Sequence, residues 1–195
     1  MVGRPRKFDM EHVLNLAMET FWAKGYEATS MADLMAATGL HKGSIYQAFG
    51  SKHELFIAAL RRYLEIMRQE KNETLSRANS PLEGIRLVAH NMLDRMDGHS
   101  SCPKGCMVVN TIVELAPHDP EVEKILNEHT GLMQSSLIDA VTQGQMAGQI
   151  NTSKPPEAIA MLMMTFMTGL AAVVKSSVTK EQAHQLLDMQ LESIT

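Results

Sequence analysis

The sequence predicts an all-α protein of about nine helices, with a three-helix helix-turn-helix unit over residues 1–52 and a larger helical domain over residues 53–195. Three observations carry that prediction. First, 45% of the 195 residues are hydrophobic, enough to bury a sizeable core, and Ala, Leu, Met, Glu and Gln dominate, as in helices. Second, aromatic residues supply only 5% of the chain, which disfavours an all-β fold. Third, apolar positions recur at three and four between legible start and stop signals, and no segment alternates convincingly at two.

Asp9 can cap a first helix whose apolar set is Val13, Leu14, Ala17, Met18, Phe21 and Trp22, ended by Gly25. A second opens at Ser30, with Asp33 as capping partner, and closes at Thr38-Gly39. A third runs over about His41–Phe49 and stops at Gly50. Ser51 and Glu54 then start a long amphipathic helix through Leu55, Ile57, Leu60, Leu64 and Met67. Ser80-Pro81-Leu82-Glu83 combines an N-cap, a first-turn proline and a capping acid, opening a helix to about Met96. A loop, His99–Lys104, leads into an apolar helix near Gly105–Leu115. Asp119-Pro120 starts a helix to about Ala147, Pro155-Pro156 one to about Val174, and Thr179 with Gln182 a last one to Ser193.

Charge and cysteine usage narrow the classes further. The formal charge is −4, which by itself argues against non-specific polyanion binding. The sum hides an asymmetry, since residues 1–75 hold ten Lys/Arg against nine Asp/Glu. No stretch approaches the roughly 18–20 uncharged apolar residues that span a bilayer; the longest, near Ala158–Val174, carries Thr165, Thr168 and Gly169. The basic start, Met1–Lys7, runs into Asp9 and Glu11 without the apolar segment of a signal peptide. Only Cys102 and Cys106 occur, so no disulfide framework is expected. A soluble, cytoplasmic protein follows, with no membrane partner. No G-x-S-x-G, H-E-x-x-H, P-loop or G-x-G-x-x-G pattern is present, so neither catalysis nor a cofactor is expected.

Ser30–Ala37, the turn Thr38-Gly39-Leu40-His41, and Lys42–Phe49 form two short helices joined by a glycine-containing turn, the helix-turn-helix pattern. Leu34, Met35, Leu40, Ile45 and Phe49 would lock the pair inward, leaving Lys42, Gly43, Ser44 and Gln47 outside. In such a unit the second helix enters the major groove, although generic helix pairs share the pattern. The wording goes further. Phe21-Trp22-Ala23-Lys24-Gly25-Tyr26-Glu27-Ala28-Thr29-Ser30, Gly39-Leu40-His41-Lys42-Gly43-Ser44-Ile45-Tyr46-Gln47-Ala48-Phe49-Gly50-Ser51-Lys52 and Glu54-Leu55 closely resemble the DNA-binding signature of TetR-family transcriptional regulators, over about residues 5–60. The resemblance implies an all-helical homodimer whose paired heads contact a palindromic, double-stranded operator and release it on binding a small-molecule inducer. An activator, or a DNA-binding protein without effector, would share the same head.

Each matching residue has a physical role and a plainer alternative. Thr29 and Ser30 stand at a helix N-terminus, which favours phosphate, or Ser30 is only the cap. Gly43 permits close approach to the duplex, or serves packing. Lys42 and Gln47 can reach guanine and adenine edges, or Lys42 touches only phosphate. Tyr46 resembles the family's phosphate-contacting tyrosine, against a core role; His41 and Lys52 occupy matching backbone-contact positions, against a solvated surface. Many relatives carry His where Gln47 stands, so operator preference is not transferable. Arg4 and Arg6, in Gly3-Arg4-Pro5-Arg6-Lys7, suit a minor-groove arm, or a solvated basic tail.

In the C-terminal domain, Met92, Met96, Met107, Met133, Met163 and Met167 offer adjustable walls for an apolar ligand, or ordinary core. Phe166, Leu170, Val173, Leu186, Leu187 and Gln190 would meet a second copy across a two-fold axis, as the last two long helices do in the family, or be buried within one chain. Cys102-Pro103-Lys104-Gly105-Cys106 is open three ways: inert small residues, a thiol sensor activated by Lys104 and a helix N-terminus, or soft-metal ligands with His99 or Met107. No metal site of ordinary spacing is expected. His90, His99, His118 and His129 are spread in sequence and would have to meet in space.

Overall fold

The computed structural model describes residues 9–97 and 104–195; Arg4, Arg6, His99 and Cys102 lie outside them. Among the described residues there are nine helices and no strand: α1 Met10–Lys24, α2 Met31–Thr38, α3 Lys42–Phe49, α4 Lys52–Arg77, α5 Pro81–Asp97, α6 Met107–Glu114, α7 Pro120–Met146, α8 Pro156–Val173 and α9 Lys180–Glu192. Side-chain caps set most starts. Asp9 accepts from the amides of Glu11 and His12 at 3.1 and 3.3 Å. Ser30 with Asp33, and Thr179 with Gln182, form complete capping boxes. Ser51 accepts from the Glu54 amide at 3.0 Å. At α5 the Ser80 hydroxyl accepts from the Glu83 amide, while the Glu83 carboxylate reaches back to the amide of Asn79.

The chain divides into two compact units, up to Glu65 and from Ile66 onward, so the division falls inside α4 rather than at its start. The first half of α4 belongs with α1 because its apolar face is aromatic. Phe56 meets Phe21 edge-on at 5.1 Å and Tyr26 at 5.0 Å, and Tyr63 meets Trp22 at 5.1 Å. Such pairs add about 0.5–1.5 kcal/mol each beyond the area they bury. Arg62 ties the same stretch to α1 through Asn15, at 3.0 Å, and Glu11.

In the second unit α5 packs on α7, α8 and α9, burying Ile85, Ala89, Leu93 and Met96 at helical spacing. A polar clasp joins α5 to α9. The rings of His90 and His184 lie parallel within 6°, centroids 4.8 Å apart, and meet edge to edge through a 2.5 Å Nδ1···Nδ1 contact, in which one ring donates and the other accepts. Their Nε2 atoms engage Asp188 and Asp94, each at 3.1 Å. Arg86 reaches Asp188 at 3.2 Å and Lys180 reaches Asp94 at 3.0 Å. Burial raises the Asp94 pKa, but Lys180 and His184 outweigh it and hold the carboxyl below its ordinary value. His90, one of the histidines spread along the sequence, thus has a structural role, because His184 lies opposite it across the two helices.

α8 is the longest apolar stretch of the chain, as the sequence indicates. Its 18 residues have a mean hydropathy of 1.5, long and apolar enough by composition to cross a membrane; its threonines and glycine are too few to lower that mean. Ile159, Ala160, Met163, Leu170 and Ala171 form a buried stripe along it, while most of its other residues stay accessible. Replacing His184 with Ala should destabilise the second unit by about 1–2 kcal/mol, read as a lower denaturation midpoint; an unchanged midpoint would show the clasp to be energetically idle.

Candidate nucleic-acid interface and ligand cavity

The head is built from the turn outward. Gly39 ends α2 in the left-handed region and its amide returns to the Met35 carbonyl at 3.0 Å, after which Leu40 plugs the turn, 5% exposed. Leu34 and Ile45, both fully buried, fix α2 against α3. With Ile45 inward, helical geometry turns Lys42, Gly43, Tyr46 and Gln47 to the opposite face, where all four are exposed, with Ser44 half-buried beside them. The Lys42 ammonium lies 5.7 Å from the Tyr46 ring centroid, so the cation and the phenol form one surface feature. His41, the exposed N-cap, makes no side-chain capping bond; its carbonyl accepts from the Ser44 amide at 2.9 Å, leaving the amides of Lys42 and Gly43 to solvent or to a phosphate. Lys52 is held differently: its ammonium sits 4.3 Å over the face of Tyr26.

Two expected phosphate contacts change character. Thr29 is fully buried and its hydroxyl donates to the Gly25 carbonyl at 2.5 Å, so it is a packing residue. Ser30 is exposed, but its hydroxyl is engaged with Asp33, which it contacts at 2.6 Å as donor and 3.1 Å as acceptor. The Asp33 carboxylate also pairs with Lys24, which together with Ser30 holds its pKa far below the usual range. A carboxylate already occupies the positive end of α2, and the open N-terminus is that of α3. Gly43 resolves the other way. A β-carbon there would meet nothing within 4 Å, so packing within the chain does not require glycine.

The second unit contains a cavity of about 190 Å³. Met92, Met96, Met133, Met163 and Met167 line it, joined by Met67 and Met164. Met107 does not; it is 2% exposed and points into the core, while Cys106, Val109 and Ile112 carry the α6 side of the wall. Cys106 is the buried N-cap of α6. Its position depends on Gly105, whose φ is +65° and where a β-carbon would come within 3.0 Å of the Ala171 carbonyl. One corner of the wall is polar. Lys71 on α4 donates to the Ser136 hydroxyl at 3.2 Å, and His129 stands on the same wall. Burial, then the charge of Arg68, lowers the Lys71 pKa; burial, then Lys71, lowers that of His129. Neither Lys71 nor Ser136 was anticipated. Their signal was a lysine at four-residue spacing from both Met67 and Leu75, interrupting an apolar stripe. Among the described residues no group of three or more ligating side chains is placed to hold a metal.

The expected subunit-facing residues separate into two stripes. Leu170 and Leu187, 4% and 0% exposed, are buried within the chain, since they continue the inner stripes of α8 and α9. Phe166 and Gln190 are half-buried. Val173 and Leu186 are exposed, together with Leu162 and Met189, which complete an outer apolar stripe. On α8, which is apolar all round, periodicity alone does not separate inner from outer.

A head presenting one polar helix face, followed by a helical domain with its own cavity, defines a helix-turn-helix transcriptional regulator. The family model for bacterial regulatory proteins of the tetR family matches residues 13–59, and that for the tetracyclin repressor-like C-terminal domain matches residues 81–188. The chain is 26% identical over 191 residues to YezE of Bacillus subtilis, an uncharacterised HTH-type transcriptional regulator, covering 97% of this chain and 98% of that one. It is 27% identical over 184 residues to the transcriptional repressor ComR of Escherichia coli, covering 94% and 88%. The solved structure of a cysteine-substituted CifR, a TetR family regulator in complex with a 26 bp operator DNA, superposes with a TM-score of 0.85 at 29% identity, covering 99% of this chain and 100% of that one. The chain belongs to the TetR family and is a DNA-binding transcriptional regulator.

Gly43→Ala should raise stability by about 0.5–1 kcal/mol, through helix propensity, and lower operator affinity in a mobility shift. Unchanged affinity would show that nothing approaches that face closely. Lys42→Ala and Tyr46→Ala should each cost at least tenfold in operator binding while circular dichroism stays unchanged; retained binding would remove them from the interface.

Proposed function

We propose that the protein is a homodimeric repressor that holds a palindromic operator through paired α3 helices and leaves it when a small molecule fills the methionine-lined cavity. The observation that carries this reading is α4, whose first half is part of the head's core and whose second half, with Met67, Lys71 and Leu75, lines the cavity. A ligand there acts on the helix that also anchors the reading head. The outer stripe of Leu162, Val173, Leu186 and Met189 supplies a self-complementary face for a two-fold partner. Such a dimer sets its α3 helices about 34–36 Å apart, one duplex turn. Lys42 and Gln47 read base edges, Tyr46, His41 and the first-turn amides of α3 hold phosphate, and Arg4 and Arg6 enter the adjoining minor groove. A ligand favouring another head separation by a few kcal/mol shifts occupancy substantially. The working compartment is the bacterial cytoplasm, and no catalytic step is involved.

Cys106 favours a second reading of the inducer. A thiol on the cavity wall, at the start of α6, meets a thiol-reactive compound as soon as the compound binds.

A mobility shift on the intergenic DNA upstream of the gene, repeated with candidate compounds, tests both readings. The complex should carry two copies of the chain, and an effective compound should weaken it at least tenfold. Equal affinity with and without every compound that binds the cavity would leave a DNA-binding protein lacking an effector; transcription that falls on deletion of the gene would make it an activator. Cys106→Ser should abolish a response to electrophiles and spare responses to unreactive ligands.

A further inference from the structure

We propose that the cavity takes an apolar molecule bearing a single anionic head, a carboxylate, seated at Lys71, His129 and Ser136. The inference rests on the cavity being the effector site and goes beyond it by naming the ligand's chemistry.

The wall itself makes the selection. Thioether and aliphatic side chains form most of it, and its two basic groups, Lys71 and His129, stand together beside Ser136. Among the described lining residues there is no carboxylate. Lys71 donates to a neutral hydroxyl, and the acid next to it in sequence, Glu70, pairs with Arg95 instead. A half-buried ammonium whose hydrogen bond goes to a neutral hydroxyl on the wall of a largely apolar space is incompletely compensated. The lowered pKa of Lys71 and of His129 reports the same deficit.

Different ligands change that deficit in different ways. A cation would be repelled by Lys71. A neutral alcohol or hydrocarbon would fill the methionine-lined part and bury the ammonium further without pairing it. A carboxylate offers two acceptor oxygens to the Lys71 ammonium, with the Ser136 hydroxyl and the His129 ring as further donors. It thereby converts the costly corner into charge-assisted hydrogen bonds. Its hydrocarbon body lies against side chains that adapt their rotamers to varied shapes.

The test compares octanoate with 1-octanol, equal in chain length, by calorimetric titration of the full-length protein. Octanoate should bind at least tenfold more tightly. Lys71→Met should abolish that preference while octanol binding persists, which also shows that the variant is folded. If Lys71→Met loses octanol as well, His129→Gln carries the comparison, and octanoate affinity should fall several-fold with octanol unchanged. Octanol binding as tightly as octanoate in the unaltered protein, or a preference that survives both substitutions, would overturn the anionic head and leave the effector cavity standing. If neither compound binds, the anionic head falls, while the effector reading is decided separately by the mobility shift with compounds that do bind the cavity.

Discussion

One helix has to satisfy two cores, and most of the molecule follows from that constraint. The first half of α4 buries Leu55, Phe56, Ala59, Leu60 and Tyr63, a set dense enough in rings to hold α1 and, through it, the helix-turn-helix pair. Beyond Glu65 the same helix continues with Met67, Lys71 and Leu75 in the cavity wall. A helix transmits displacement along its length far better than a loop, because each residue is tied to the next turn by a backbone hydrogen bond.

The head shows how an interface is specified by what is buried behind it. The polar edge of α3 has little intrinsic preference for its orientation; Ile45 and Leu34 decide it by being fully excluded from water. Surface side chains then need only short-range devices to stay in place, such as the Lys42–Tyr46 contact and the Lys52–Tyr26 contact. The open amides at the start of α3 contrast with the occupied N-terminus of α2, where Asp33 supplies an internal anion. Of these two helix ends, the one left for an anion from outside is that of the reading helix.

Helix identity and boundaries were legible in the sequence because their determinants are local: Asp9, Ser30, Ser51, Asp119 and Thr179 each accept amide hydrogen bonds within three residues of themselves. The outward set on α3 was legible too, since one strongly apolar position fixes a short helix. Features that depend on which elements meet were not. The burial of Thr29, the pairing of His90 with His184, and the neighbourhood of Lys71 and His129 all join residues whose proximity no local pattern encodes. Leu170 and Leu187 were misplaced for a related reason, because a helix that is apolar on every side carries no polar face to say which way it turns.

The imidazole pair between α5 and α9 has a consequence for how the outer stripe persists. By engaging His184 and Asp188 on one side of α9, it fixes that helix's rotation about its own axis, and so keeps Leu186 and Met189 turned away from the interior. A freely turning α9 would be drawn to roll those side chains inward and satisfy their burial alone. The clasp therefore preserves a sticky surface that thermodynamics would otherwise tend to consume, and a second chain docking there would find it already shaped.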